Sequence, residues 1–201
     1  MNGFERIKLW VRYTRLTAIL IALSVSIAIL SNFGRDYQFI HLLFISEYRQ
    51  GLSEIANGQL WRLFTPIIIH FGILHIVFNM FWLFQLGSAI EQRQTIKRMA
   101  ILIFIIALLS NLAQYFWRGP SFGGMSGVVY GLLAYVWIQG KYNPSAGLGL
   151  DKNIAIMMLI WFVICWMGLV GNIANMAHTI GLVTGAILGL LYSPIRNLRH
   201  F

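Results

Sequence analysis

A serine closes a glycine-rich turn in this chain and opens an apolar run. The residues are Phe122-Gly123-Gly124-Met125-Ser126-Gly127-Val128-Val129-Tyr130, and the run continues to Trp137. Two chemistries suit a serine at a helix start. Its oxygen can act as an N-cap, accepting from the orphan N–H groups of the first turn. It can also act as a nucleophile, because the same N–H groups and the helix dipole stabilise an oxyanion forming beside it. The local spacing by itself favours the cap. Two histidines and one asparagine, His75, His178 and Asn79, reverse that preference. An imidazole can take the serine proton, and an amide or a second imidazole can donate to the oxyanion.

The elements that must position these groups are membrane helices. The chain has 201 residues, 58% of them apolar and only 10% charged, with a mean hydropathy of +0.71. Soluble domains carry about 25% charged residues, so this composition indicates an integral membrane protein, and its length indicates a single domain. The formal charge of +9 does not point to nucleic acid, since the basic residues flank apolar runs as membrane anchors do. The one cysteine, Cys165, lies in an apolar run and reads as a small apolar residue with no disulfide partner. No removable signal peptide is evident, since the first strong apolar stretch starts near Leu16 and no clear small-residue cleavage site follows it.

The expected fold class is an all-α integral membrane bundle of six transmembrane helices with a long interfacial first outer loop. The spans fall at approximately residues 16–33, 70–90, 99–117, 126–140, 153–167 and 174–192 of a single domain, 1–201. Residues 1–15 are basic and too short to form a domain. Between residues 32 and 70 the apolar pieces are too short to span, and Tyr48, Trp61 and Arg62 suit the headgroup zone. Backbone at that depth must satisfy its own hydrogen bonds, so short helices or hairpins are expected there. Eleven of the Lys/Arg residues lie on the side of both termini, Arg196 and Arg199 included. Four lie on the other: Arg35, Arg49, Arg62 and Arg118. The positive-inside rule then places both termini in the cytoplasm.

With that topology Ser126, His75, Asn79 and His178 reach one outward-facing level from three helices. His75 and Asn79 are i and i+4 and share a face. Polar groups inside spans are costly and usually functional. A fourth span of about 15 residues is roughly 22 Å long against a core of about 30 Å, which submerges Ser126 roughly 8–10 Å below the outer surface. Gly127 and Gly131 on the fourth span, and Gly181, Gly185 and Gly189 on the sixth, form stripes that let two backbones approach in lipid. Tyr130, one turn below Ser126, is placed to pack on an imidazole. None of the six acids, Glu5, Asp36, Glu47, Glu54, Glu91 and Asp151, lies deep in a span, so a Ser–His dyad is expected rather than a triad. The oxyanion donors are the Ser126 N–H, Asn79 and one histidine; spacing leaves open whether His75 or His178 is the base. His70 reads as interfacial, with its proximity to the site keeping it a minor candidate, and His41 and His200 read as exposed. No metal site is expected, because the histidines lack a carboxylate or thiolate partner.

The motifs at these positions resemble one family. Gly124-Met125-Ser126-Gly127 is similar to the GxSG of rhomboid intramembrane serine proteases, His75 to Asn79 to their HxxxN, Ala177-His178-Thr179-Ile180-Gly181 to their AHxxG, and Trp61-Arg62 to the WR of their first outer loop. It is not the G-x-S-x-G elbow of α/β hydrolases, since Val128 occupies the last position. The resemblance implies Ser126 as nucleophile, His178 as general base and His75 with Asn79 in the oxyanion hole. It implies no cofactor and no metal, transmembrane segments of membrane proteins as substrates, and cleavage through an acyl-enzyme in a bacterial inner membrane, with the site opening to the periplasmic side. Many bacterial members carry a soluble domain ahead of the first helix; some 15 residues stand there in this sequence, which gives the expectation of the minimal six-helix form. Two other readings compete. A non-catalytic relative that binds and escorts membrane proteins should lack Ser126 or His178, and a transporter should carry its polar groups at the midplane on broken helices.

Overall fold

The computed structural model describes residues 3–47, 51–171 and 173–194; Tyr48, Arg49, Arg196, Arg199 and His200 lie outside them. The regular structure among the described residues is all helical, with no strand. The α-helices are α1 (Gly3–Tyr13), α2 (Arg15–Leu30), α3 (Tyr37–Ile40), α4 (Ser53–Ala56), α5 (Ile73–Arg93), α6 (Ile96–Arg118), α7 (Ser126–Tyr142), α8 (Lys152–Trp166) and α9 (Asn175–Leu191). Short 3₁₀ turns at His41–Leu43, Leu60–Leu63 and Thr65–Ile68 fill the stretch between α3 and α5.

Helix α7 is the axis. Every residue from Gly127 to Val136 is buried, and the most extensive packing in the molecule is between α7 and α9. The glycine stripes explain it. A methyl group on Gly181 would overlap the Gly127 carbonyl oxygen, and one on Gly185 would overlap that of Gly131. The two backbones touch, as small residues allow in lipid. At the far end Gln139 ties the pair, donating to Gly189 O at 2.8 Å and Ser193 Oγ at 2.9 Å. The outer faces of the other long helices are apolar and exposed, with Leu23, Val77, Phe78, Phe104, Ile160 and Ile187 among them. Exposed apolar surface this continuous belongs against lipid tails. By length and composition α5 and α6 are each able to cross a bilayer, and α1 with α2, bent by 110°, make a third if counted as one.

Several helix ends differ from the sequence boundaries. Helix α2 stops at Leu30 rather than Phe33, because Asn32 (φ 48) and Phe33 (φ 55) turn left-handed and Ser31 Oγ accepts from Gly34 N–H at 3.1 Å. Its start carries no local cap; Glu91 of α5 accepts instead from Leu16 N–H (3.1 Å), Thr17 N–H (2.7 Å) and Thr17 Oγ1 (2.6 Å). The loop reading of residues 32–70 needs one correction. Trp61 is 51% exposed, as an anchor should be, but Arg62 is fully buried. Its guanidinium donates to His41 O and Phe44 O, both at 3.0 Å, to Gln59 Oε1 at 2.6 Å, and pairs with Glu47. Arg62 is held inside because it satisfies carbonyls that a folded loop removes from water. Asn111 of α6 pins the same segment, donating to Leu63 O at 2.8 Å.

Candidate active site

The turn before α7 sets the position of Ser126. Gly124 adopts φ 131, a region closed to residues with a Cβ, and its N–H donates to Pro66 O at 3.0 Å. Met125 occupies the N-cap position and Ser126 is the first helical residue. No side-chain cap bond forms, so the capping role that the sequence offered to Ser126 is not used. Its Oγ lies instead 2.7 Å from His178 Nε2. The Ser126 N–H is among the first four of the helix, which lack intrahelical acceptors.

His178 enters one turn inside α9 and is 5% exposed. Its ring packs on Tyr130 with centroids 4.8 Å apart. Tyr130 is itself held edge-on by Phe162 at 5.5 Å and by its hydroxyl on Met158 O at 3.4 Å. The other imidazole nitrogen, Nδ1, has no hydrogen-bond partner among the described residues. None of the acids reaches it: Glu47 and Glu54 serve the outer loop, and Glu91 caps α2. The ring orientation therefore comes from the serine on one side and an aromatic face on the other.

His75 lies across the turn. A methyl on Gly124 would sit 2.7 Å from His75 Nε2 and 3.6 Å from Ser126 Oγ. Phe71 N–H donates to His75 Nδ1 at 3.2 Å. A neutral ring whose Nδ1 accepts carries its proton on Nε2, so His75 presents a donor toward Gly124 and Ser126. Asn79 is buried one turn along α5 and donates through Nδ2 to His75 O at 2.9 Å, which leaves its second N–H for another acceptor. His75 and Asn79 thus share the expected face of α5.

Three residues beyond the principal expected set also build the site. His70, read from sequence as interfacial, is fully buried. Its Nε2 accepts from Met125 N–H at 3.4 Å while Nδ1 donates to Ile68 O at 3.2 Å, so it braces the turn that carries Ser126. Gln114 of α6 accepts from Met176 N–H (3.1 Å) and Ala177 N–H (3.2 Å), capping the turn that leads to His178. Ser110 Oγ would meet a methyl on Gly127 at 3.1 Å, so α6 closes over the same backbone. The signal for the last two is their polarity, shared with Asn111, in an otherwise apolar stretch of α6. His41, expected to be exposed, is half-buried with Nδ1 on Gln38 O at 2.6 Å.

Comparison with known proteins concentrates on these helices. The family model described as Rhomboid domain matches residues 57–195. Rhomboid protease GlpG of Salmonella paratyphi A (strain ATCC 9150 / SARB42) is 40% identical over 140 residues, covering 69% of this chain and 51% of that protein. The proteins of the same name from Salmonella newport (strain SL254) and Salmonella heidelberg (strain SL476) give the same figures. The chain spans about half the length of the curated relatives it matches. Since the family model takes in α5 to α9 with His75, Asn79, Ser126 and His178, this chain belongs to the rhomboid family.

Proposed function

We propose that this chain is an intramembrane serine endopeptidase that cuts peptide bonds in or near transmembrane segments of other membrane proteins. The observation that carries the reading is the 2.7 Å contact between Ser126 Oγ and His178 Nε2 at the mouth of two helices packed backbone to backbone. Ser126 donates its proton to His178 Nε2 as Oγ attacks the scissile carbonyl. His75 Nε2–H, the second Asn79 N–H and the Ser126 N–H hold the oxyanion. Collapse of the tetrahedral intermediate breaks the C–N bond, and His178 returns the proton to the leaving amine. Water activated by the same imidazole then hydrolyses the acyl-enzyme. Hydrogen bonding supports this assignment of base and donor: His178 contacts the serine, while His75 already accepts at Nδ1.

The full membrane reading belongs to the same proposal: six spans, α2 and α5 to α9, with both termini cytoplasmic and the dyad opening to the periplasmic side. Helices α7, α8 and α9 have 17, 15 and 17 residues. Those lengths fall short of the roughly 20 that cross a core of about 30 Å. Short central helices submerge the serine and require water or polar groups above it. A substrate helix must unwind before its carbonyl reaches Ser126, at several kcal/mol for each backbone group exposed to lipid. Cleavage is therefore expected near the outward end of a substrate span, after a small residue such as Ala, with weak helix formers nearby. The test is a fluorophosphonate probe on the purified chain, followed by peptide mapping. Adduct on Ser126, lost in His178→Ala, supports the proposal. A folded protein that neither reacts nor cleaves a reconstituted single-span substrate would make it a binding or escort protein instead.

A further inference from the structure

Helix α1 meets α2 at 110°, and the corner is fixed. Thr14 is fully buried, its N–H and Oγ1 both donate to Trp10 O (3.0 and 2.7 Å), and Glu91 holds the first turn of α2. Trp10 docks α1 on α5: its indole N–H donates to Ser88 Oγ at 2.9 Å and its ring lies 5.0 Å from Phe84. Ser88 and Phe84 stand about 7 Å and about 13 Å inward of Arg93 at 1.5 Å per residue. The indole therefore points into the bundle's depth. At about 100° per residue, Lys8 and Arg12 project about 160° away from Trp10. Ile7 and Val11 flank one side of that axis and Leu9 and Tyr13 the other, and they are 61%, 42%, 38% and 59% exposed. Phe84, against which Trp10 packs, and Phe81 of α5 are exposed as well.

From this arrangement we infer that α1 is a surface anchor that lies in the headgroup layer of the cytoplasmic leaflet and takes anionic phospholipid as its partner. The inference rests on the topology proposed above, in which α2 starts from the cytoplasm. Two apolar flanks with a charged ridge between them match an interface, not an aqueous surface or a bundle core. The ridge holds Arg12 and Lys8, the latter paired with Glu5 at 3.5 Å, and Arg15 adds a positive charge just past the corner, at the start of α2. Basic residues beside an anionic leaflet strengthen association by about fivefold each.

The test uses the whole chain in a Cys165→Ala background, with single spin-labelled variants Ile7→Cys, Val11→Cys, Lys8→Cys and Arg12→Cys. Each is placed in phosphatidylcholine vesicles with and without phosphatidylglycerol, with a water-soluble nickel complex on both sides. Collisions with oxygen should exceed those with nickel at positions 7 and 11 and fall below them at 8 and 12. The contrast should shrink when phosphatidylglycerol is omitted. Equal nickel access at all four positions overturns the inference. So does dipolar broadening between labels on neighbouring chains at position 7, which would mean that a second copy covers the flank. A contrast that does not change with phosphatidylglycerol overturns the lipid class. The readout needs no proteolysis, so it should be the same in Ser126→Ala, and loss of the protease reading leaves it unmoved.

Discussion

Gly181→Ala is the substitution that most directly probes how the helix contact serves the dyad. The new methyl would overlap the Gly127 carbonyl oxygen and lie 2.8 Å from Gly127 C and 3.2 Å from Gly127 Cα. These are backbone atoms, so no side-chain rotation relieves the clash. Restoring an ordinary 3.4 Å contact to the carbonyl carbon moves the two helices apart by more than half an ångström. Gly127 is next to Ser126, and Gly181 is one turn from His178. The separation therefore falls on the 2.7 Å bond between them. A misplacement of about 1 Å costs on the order of 10²-fold in rate, and overpacking of this kind costs about 1–3 kcal/mol in stability. Gly189→Ala is the control, because its methyl meets the Ile138 side chain at 2.8 Å and Tyr135 O at 3.4 Å, far down the same helix pair. The assay is the labelling rate by a fluorophosphonate beside thermal unfolding, for both variants at a temperature where both are folded. Gly181→Ala should lose about two orders of magnitude in labelling while Gly189→Ala loses stability alone. Equal labelling in the two variants, with Gly181→Ala fully folded, would refute the link between the stripe and the dyad.

Ser126→Ala should remove cleavage by on the order of 10⁴-fold or more while the protein stays folded, read by product formation and circular dichroism. Asn79→Ala should lower kcat by roughly 10–10³-fold with little change in KM, because the His75 and Ser126 donors remain; a raised KM at normal kcat would make Asn79 a binding residue. Gln114→Leu leaves the N–H groups of Met176 and Ala177 unpaired and should cost about 1–3 kcal/mol in thermal or denaturant unfolding. In Glu54, burial raises the carboxyl pKa, but the N–H groups of Glu47 and of its own residue and the hydroxyls of Ser46 and Ser53 outweigh it and hold the group below its ordinary 4.5. A carboxyl lowered in the folded state stabilises above its unfolded pKa and loses that contribution as the pH falls through the folded one. Glu54→Gln should therefore destabilise at neutral pH, with the difference from wild type shrinking as the pH falls past 4.5 and gone only below the lowered folded-state pKa.

The polar groups were legible because apolar spans expose any exception. Ser126, His75, Asn79 and His178 stand out in a chain with so few polar residues, and helical spacing alone puts His75 and Asn79 on one face. The glycine stripes were equally legible, since in lipid they have a packing use. What remained hidden depended on partners distant in sequence. Gln114 reads as a tolerated polar residue until α9 is placed against it, 62 residues on. Arg62 reads as a headgroup anchor by type, and only the folded loop shows the carbonyls it satisfies. The bracing role of His70 is hidden for the same reason, because its partner is the backbone of Met125, 55 residues away. Helix α1 lies in a stretch that reads as basic and too short to form a domain, although Ile7, Trp10 and Val11 carry the i, i+3, i+4 spacing of a helix face.

The borrowed caps on α2 and α9 have a consequence for biogenesis. Each of these helices starts without a side-chain cap of its own and is completed by a residue of another helix, Glu91 for α2 and Gln114 for α9. A newly inserted chain lacks both partners until the bundle closes. The opening turn of α9 is then the part of that helix with least reason to be ordered, and it is the turn that leads to His178. On the reading proposed here, α9 leaves the ribosome after α7 and brings the base to a serine already waiting. An unfinished copy is therefore inert toward its neighbours in the translocation machinery, and reactivity becomes a report that assembly is complete.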